Sequence, residues 1–204
     1  MRDRRKKAAP RRRGIVCAGF ALGLAALLGG CASGAAPTTY DLTAPREALS
    51  ARRSGALLVV AEPQTLQAFD SDRVIVRTRE GGIAALPEMQ WADRLPRLIQ
   101  TRLIQTFENA SRITAIGRPG DRLVPAAQLN SEIRTFALDE RTGEAVVEIS
   151  VKIVNDRSGR ILAGQVFTSR VPAGAGSGAA VPAALDLATQ ALLRDVVRWT
   201  SARI

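Results

Sequence analysis

Few residues in this 204-residue chain can do chemistry, because it has no histidine, two cysteines and one tyrosine. Without histidine there is no Ser-His-Asp or Cys-His catalytic unit, and no His-ligated zinc or haem. Cys17 and Cys31 are too few for a four-cysteine metal site or a dense disulfide framework. One of them can form a thioether. Cys31 follows Leu28-Gly29-Gly30, where two small residues let a peptidase reach the Gly30–Cys31 backbone. The thiol is the nucleophile at that junction able to take a diacylglycerol. The plainer alternative is a small residue after an ordinary cleavage site.

The segment ahead of Cys31 decides between the two. Residues 1–13 carry eight basic side chains and one acid, and residues 14–28 are uncharged and apolar. That is the order of a secretory signal peptide. Fifteen helical residues reach roughly 22 Å, short of a hydrocarbon core near 30 Å. In that setting Leu28-Gly29-Gly30-Cys31 resembles the bacterial lipobox. Leu28, Gly29 and Gly30 are then the signal-peptidase recognition residues and Cys31 is the lipid attachment site. The covalent lipid, palmitate included, is the only cofactor expected. Cys17 leaves with the signal, so an acylated Cys31 has no disulfide partner. Successive acyl chains multiply membrane affinity. Ala32, rather than Asp, follows the cysteine; by resemblance to Gram-negative sorting rules this points to the periplasmic face of the outer membrane. Arg11-Arg12-Arg13 leaves twin-arginine export open beside the general route.

From Cys31 onward the chain holds 21 basic and 18 acidic residues. A nucleic-acid partner needs a basic working face, and this near balance excludes one. An apolar share of 46% suffices for a packed core. The expected organisation is a signal peptide over residues 1–30, a lipidated N-terminus with flexible tether over 31–54, and one domain over 55–204. The tether is small, polar and Pro-containing, and about 23 flexible residues have an r.m.s. span of 25–29 Å.

Within the domain, Ala56–Ala61 reads as a buried strand ending before Pro63. Arg73–Arg79 alternates, with Val74, Val76 and Thr78 on one face and Arg73, Arg77 and Arg79 on the other. Gly81-Gly82 turns it into a short strand at Ile83–Leu86. Trp91, Leu95, Leu98, Ile99, Leu103 and Phe107 form one helical stripe. Asp93 is the expected N-cap, which leaves Pro96 harmless in the first turn. After a strand at Arg112–Ile116, three strands over Leu129–Leu138, Val147–Ile153 and Arg160–Arg170 form an antiparallel meander. A Gly/Ala loop leads to a second helix carrying Leu185, Ala188, Leu192, Val196 and Trp199. The fold class is therefore α/β: a single domain of about six strands in a mixed, largely antiparallel sheet with two amphipathic helices.

Tyr40-Asp41-Leu42, Ala68-Phe69-Asp70-Ser71-Asp72-Arg73, Gln90-Trp91-Ala92-Asp93-Arg94-Leu95-Pro96, Leu103–Asn109 and Asp156-Arg157-Ser158-Gly159-Arg160 carry a wider resemblance. The chain resembles the ABC-type transport auxiliary lipoprotein family, which includes lipoproteins of the paraquat-inducible operon and of mammalian-cell-entry transport systems. The resemblance implies a non-enzymatic scaffold or docking subunit in intermembrane lipid transport. It implies a mammalian-cell-entry substrate-binding protein and an ABC permease with its ATPase as partners. It supplies no catalytic residues, and leaves self-association open. Two other readings stand beside it: a module that itself cradles a lipid, and a structural envelope lipoprotein unrelated to transport.

The remaining candidates have plainer explanations. Trp91, Phe107 and Trp199 read as core anchors, and Asp70 and Asp72 as turn caps rather than a cation site. Nothing places Glu62 beside Glu88 as an acid/base pair. Gly174–Gly178 lacks the Lys-Ser/Thr of a phosphate loop. The Arg73, Arg77 and Arg79 edge is a candidate partner face, with a solvated strand face as the alternative.

Overall fold

The computed structural model describes residues 36–46, 54–110, 113–122, 124–174 and 178–204. Leu28, Gly29, Gly30 and Cys31 lie outside the described residues, with the rest of the signal segment. The chain order is β1 (Thr38–Tyr40), β2 (Ser54–Val60), β3 (Gln64–Thr65), β4 (Arg73–Arg77), β5 (Ile83–Trp91), α1 (Leu95–Ala110), β6 (Ile113–Gly117), β7 (Ala127–Asp139), β8 (Glu144–Asn155), β9 (Ile161–Pro172) and α2 (Ala180–Ser201).

Strand β7 is the spine of a mixed nine-stranded sheet. One edge of it pairs antiparallel with β8 from Ala127↔Asn155 to Asp139↔Glu144. Its other edge meets three short parallel strands in turn: β2 at Ala127–Leu129, β3 at Glu132–Ile133 and β4 at Leu138–Asp139. β6 extends the sheet beyond β2, and β5 then β1 extend it beyond β4. β9 pairs antiparallel with β8. The β7–β8 and β8–β9 turns use Gly143 at φ +70° and Gly159 at φ +66°, a region that a Cβ makes costly.

Strict alternation in β8 buries Val147, Ile149, Val151 and Ile153 on one face, where α2 packs across β8 and β9. α1 lies against β6 and α2, and buried Gln100 ties it to β2 by donating to the Val60 carbonyl at 3.0 Å. All six residues of the expected α1 stripe are buried, as are Phe69, Phe136, Leu129 and Leu192. Trp91 meets Phe136 edge-on at 5.6 Å, and Phe167 meets Trp199 at 5.7 Å, within the range such pairs prefer.

The architecture departs from the sequence reading in four places. Nine strands stand where about six are expected, because β1 and β3 are too short to show a period of two. The strand beginning at Ile83 runs to Trp91, with a register break against β4. α1 starts at Leu95, with the Arg94 carbonyl accepting from the Leu98 N–H at 2.9 Å, so Arg94 caps the helix. Asp93 sits one residue earlier and accepts from the Arg94 N–H at 2.7 Å. Finally, β4 is an inner strand between β5 and β7, so Arg73, Arg77 and Arg79 do not form a sheet edge.

Candidate functional site

The segments that carry the family resemblance are scattered in sequence, yet most of them converge on one corner of the fold. β1 pairs with the end of β5, Tyr40 opposite Trp91, and the Ala92 N–H donates to the Tyr40 carbonyl at 2.8 Å. The Trp91 N–H donates to the Asp72 carbonyl at 2.6 Å and the Leu95 N–H to the Ser71 carbonyl at 2.9 Å. The loop carrying Phe69 to Asp72 thereby seats the start of α1. Pro96 has no N–H to lose there, as expected of a first-turn proline.

Arg94 gathers the acids of this corner. Its Nε donates to Asp70 Oδ1 at 3.0 Å, its Nη2 contacts the same oxygen, and its Nη1 lies 3.4 Å from Glu62 Oε1. The Asp70 hydrogen bond and charge hold the guanidinium pKa above its ordinary value. Asp70 is therefore an arginine partner rather than a turn cap. Glu62 joins Arg94 rather than Glu88. Among the described residues no three acidic or cysteine side chains form a metal-binding group.

The chain just after β1 is pinned to both helices. Arg102 on α1 pairs with Asp41 through Nη2 and Oδ2. The Thr43 N–H donates to Asp186 Oδ1 on α2 at 2.6 Å, and Asn109 Nδ2 to the Pro45 carbonyl at 3.1 Å. Leu42 is buried beneath these contacts, at 2% exposed. A cleft of about 740 Å³ lies beside them, lined by Asp41, Arg46, Arg102, Gln105 and Gln190 among others. The expected flexible tether through residue 54 is thus corrected over Thr38–Arg46, which is part of the folded body. The sequence hides this because each pin joins distant residues by a single side chain. Only the Asp41-Leu42 pair marks it, as a resemblance without a period.

The Cys31 site and its recognition residues remain outside the described residues. Among those that are described, no helix is long and apolar enough to cross a membrane. Arg73, Arg77 and Arg79 are all exposed, and Arg77 Nη2 lies 3.4 Å from Thr135 Oγ1.

Comparison with known proteins matches this arrangement. A family model described as the ABC-type transport auxiliary lipoprotein component covers residues 40–197, from the Tyr40 that pairs with Trp91 to the last turns of α2. An uncharacterised protein of Bradyrhizobium diazoefficiens is 31% identical over 185 residues, 89% of this chain. The chain spans only 49% of that relative's length. The crystal structure of a Xanthomonas campestris protein aligns with a TM-score of 0.76 at 24% identity, over 81% of this chain and 95% of that one. A second crystal structure, of an uncharacterised protein, aligns at 0.64 and 13% identity over 80% and 98%. At those identities the two structures speak for the fold alone.

Proposed function

The chain belongs to the ABC-type transport auxiliary lipoprotein family, and we propose that it is the lipid-anchored docking subunit of an envelope ABC transport system of the mammalian-cell-entry type. The family is one of transport auxiliaries and not a known enzyme family. The proposed site of action is the periplasmic face of the outer membrane, with acyl chains on Cys31 and signal-peptidase recognition through Leu28, Gly29 and Gly30. The proposed partners are a mammalian-cell-entry substrate-binding protein and the permease with its ATPase.

The observation that carries this reading is the pinned N-terminal segment. β1 begins at Thr38, seven residues after Cys31, so a lipid on Cys31 lies within about 25 Å of the folded body whatever path the chain between takes. That is a short leash. It concentrates the body at one leaflet and raises the effective concentration of any partner site nearby. The alternative of a lipid-cradling module needs room between sheet and helices. That space is filled by fully buried Phe107, Phe136, Leu129, Ile153 and Leu192, which favours docking.

Cys31→Ser in the full chain tests the reading. It is expected to yield a folded domain released from membrane pellets, with transport lost. Full complementation of a deletion strain by this variant at native expression would show that anchoring is dispensable and the reading wrong.

A further inference from the structure

The end of the sheet away from β1 carries an exposed patch that the anchoring reading does not use. Arg77 of β4 pairs with both Ile83 of β5 and Asp139 of β7, and β1 runs parallel to β5. β1 therefore runs from the Asp139 side toward the Ala127 side of the spine, starting near the level of Arg73. From Leu138 back to Ala127 the spine extends about 36 Å at 3.3 Å per residue. At that far end Val124, Ile161 and Leu162 are 79%, 60% and 53% exposed. Ile161 and Leu162 are consecutive, and strand alternation alone would send one of them inward. The register breaks between Ile153 and Val154, where Val154 pairs with Ile161 while Ile153 pairs with Ala163. This bulge leaves both side chains outside, as bulges do at sheet edges.

Arginines surround the apolar group. Arg122, Arg157 and Arg160 are exposed and make no ion pair among the described residues, whereas six other arginines pair with acids. Arg118 is braced, its Nη2 donating to Thr101 Oγ1 at 3.0 Å. Against these four stand Asp121 and Asp156. The Asp156 N–H reaches the Ala126 carbonyl at 3.4 Å, joining the β8–β9 turn to the β6–β7 loop. Arg122 has φ +56°, the one non-glycine residue at positive φ among those described. Such a conformation costs free energy and tends to persist at functional positions. It lies on the rim of a cleft of about 360 Å³ shared with Pro125 and Asp156.

Resting on the docking reading above, we infer that this end, formed by Val124, Ile161 and Leu162 within Arg122, Arg157 and Arg160, is where the transporter subunit docks, through an apolar surface rimmed with carboxylates. Charge complementarity selects that occupant: the patch has four arginines to two aspartates. An anionic membrane has compatible charge; the family's role as auxiliary to a transporter favours a protein subunit, and vesicles in the test below separate the two.

The test measures the dissociation constant of the purified mammalian-cell-entry subunit of the same organism for the mature chain. An Arg122→Glu/Arg157→Glu/Arg160→Glu variant and a Val124→Ser/Leu162→Ser variant are each expected to weaken binding at least tenfold. Arg79→Glu/Arg141→Glu, at the Asp139 end of the spine, is expected to leave it within twofold. Circular dichroism checks that each variant is folded. Full binding by both far-end variants, or loss confined to the Arg79→Glu/Arg141→Glu variant, would overturn the placement while leaving docking intact. No binding by the wild-type chain would overturn docking and the placement together. Vesicles of anionic phospholipid that bind the wild-type chain, but not the arginine variant, at the affinity of the subunit would assign the patch to a membrane instead.

Discussion

Where β1, the end of β5 and the Phe69–Asp72 loop meet the start of α1, the chain is locked together by buried aromatics and hydrogen bonds between residues far apart in sequence. The charges there are paired: Arg94 with Asp70 and Glu62, and Arg102 with Asp41. At the Ala127 end the apolar side chains face outward, three arginines lack acidic partners among the described residues, and one backbone position is strained. The first end minimises its own free energy. The second leaves interactions unmade that a partner can complete. That asymmetry is what the proposed docking role predicts, with one part that holds and another that meets a partner.

Truncation at each end should expose the contrast most strongly. Trp91 is 2% exposed and meets Phe136 edge-on, so Trp91→Ala is expected to cost about 3–5 kcal/mol in denaturant unfolding. Val124→Ala at the far end is expected to stay within about 0.5 kcal/mol. The Trp91 indole N–H is buried without a partner, a penalty of about 1–3 kcal/mol that the buried ring must outweigh. Trp91→Phe removes that N–H, and so should cost clearly less than Trp91→Ala. Equal costs at the two ends would dissolve the distinction between a packed and an open end.

A second, smaller effect concerns the pinned segment. Leu42→Ala should cost about 2–5 kcal/mol, and hydrogen exchange should rise first at the amides of Thr38 to Tyr40. If those amides exchange no faster while global stability falls, Leu42 supports the core without holding β1. The leash from Cys31 would then be no longer than in the wild type.

The two ends also differ in how far the sequence reveals them. The helices, the meander and the aromatic anchors were legible because burial on one face imposes a period, seen in the α1 stripe and in Val147, Ile149, Val151 and Ile153. β1 and β3 have three and two residues, too few for any period, so the tether was drawn too long. The Arg102–Asp41 and Thr43–Asp186 pins join residues 61 and 143 positions apart, and nothing local encodes such pairing. The role of Asp70 is hidden for the same reason, since its arginine lies 24 residues onward. The Asp156–Arg160 turn was visible as a resemblance. Its placement beside Val124, and the bulge exposing Ile161 and Leu162, depend on strand register, which only the assembled sheet fixes.

Arg122 offers the smallest effect and the sharpest use of the comparison. A side chain at positive φ costs roughly 1–2 kcal/mol, while glycine in its place restores unfolded-state entropy worth about 0.5–1 kcal/mol. Arg122→Gly should therefore raise stability slightly, by about 0.5–1 kcal/mol in chemical denaturation. The same change removes one unpaired charge from the far end, so subunit affinity should fall as stability rises. Movement in opposite directions is the signature of strain kept for binding. A variant that gains stability and keeps full affinity would mean that the strained backbone serves the loop alone, and that Arg157 and Arg160 carry the electrostatic part of the contact.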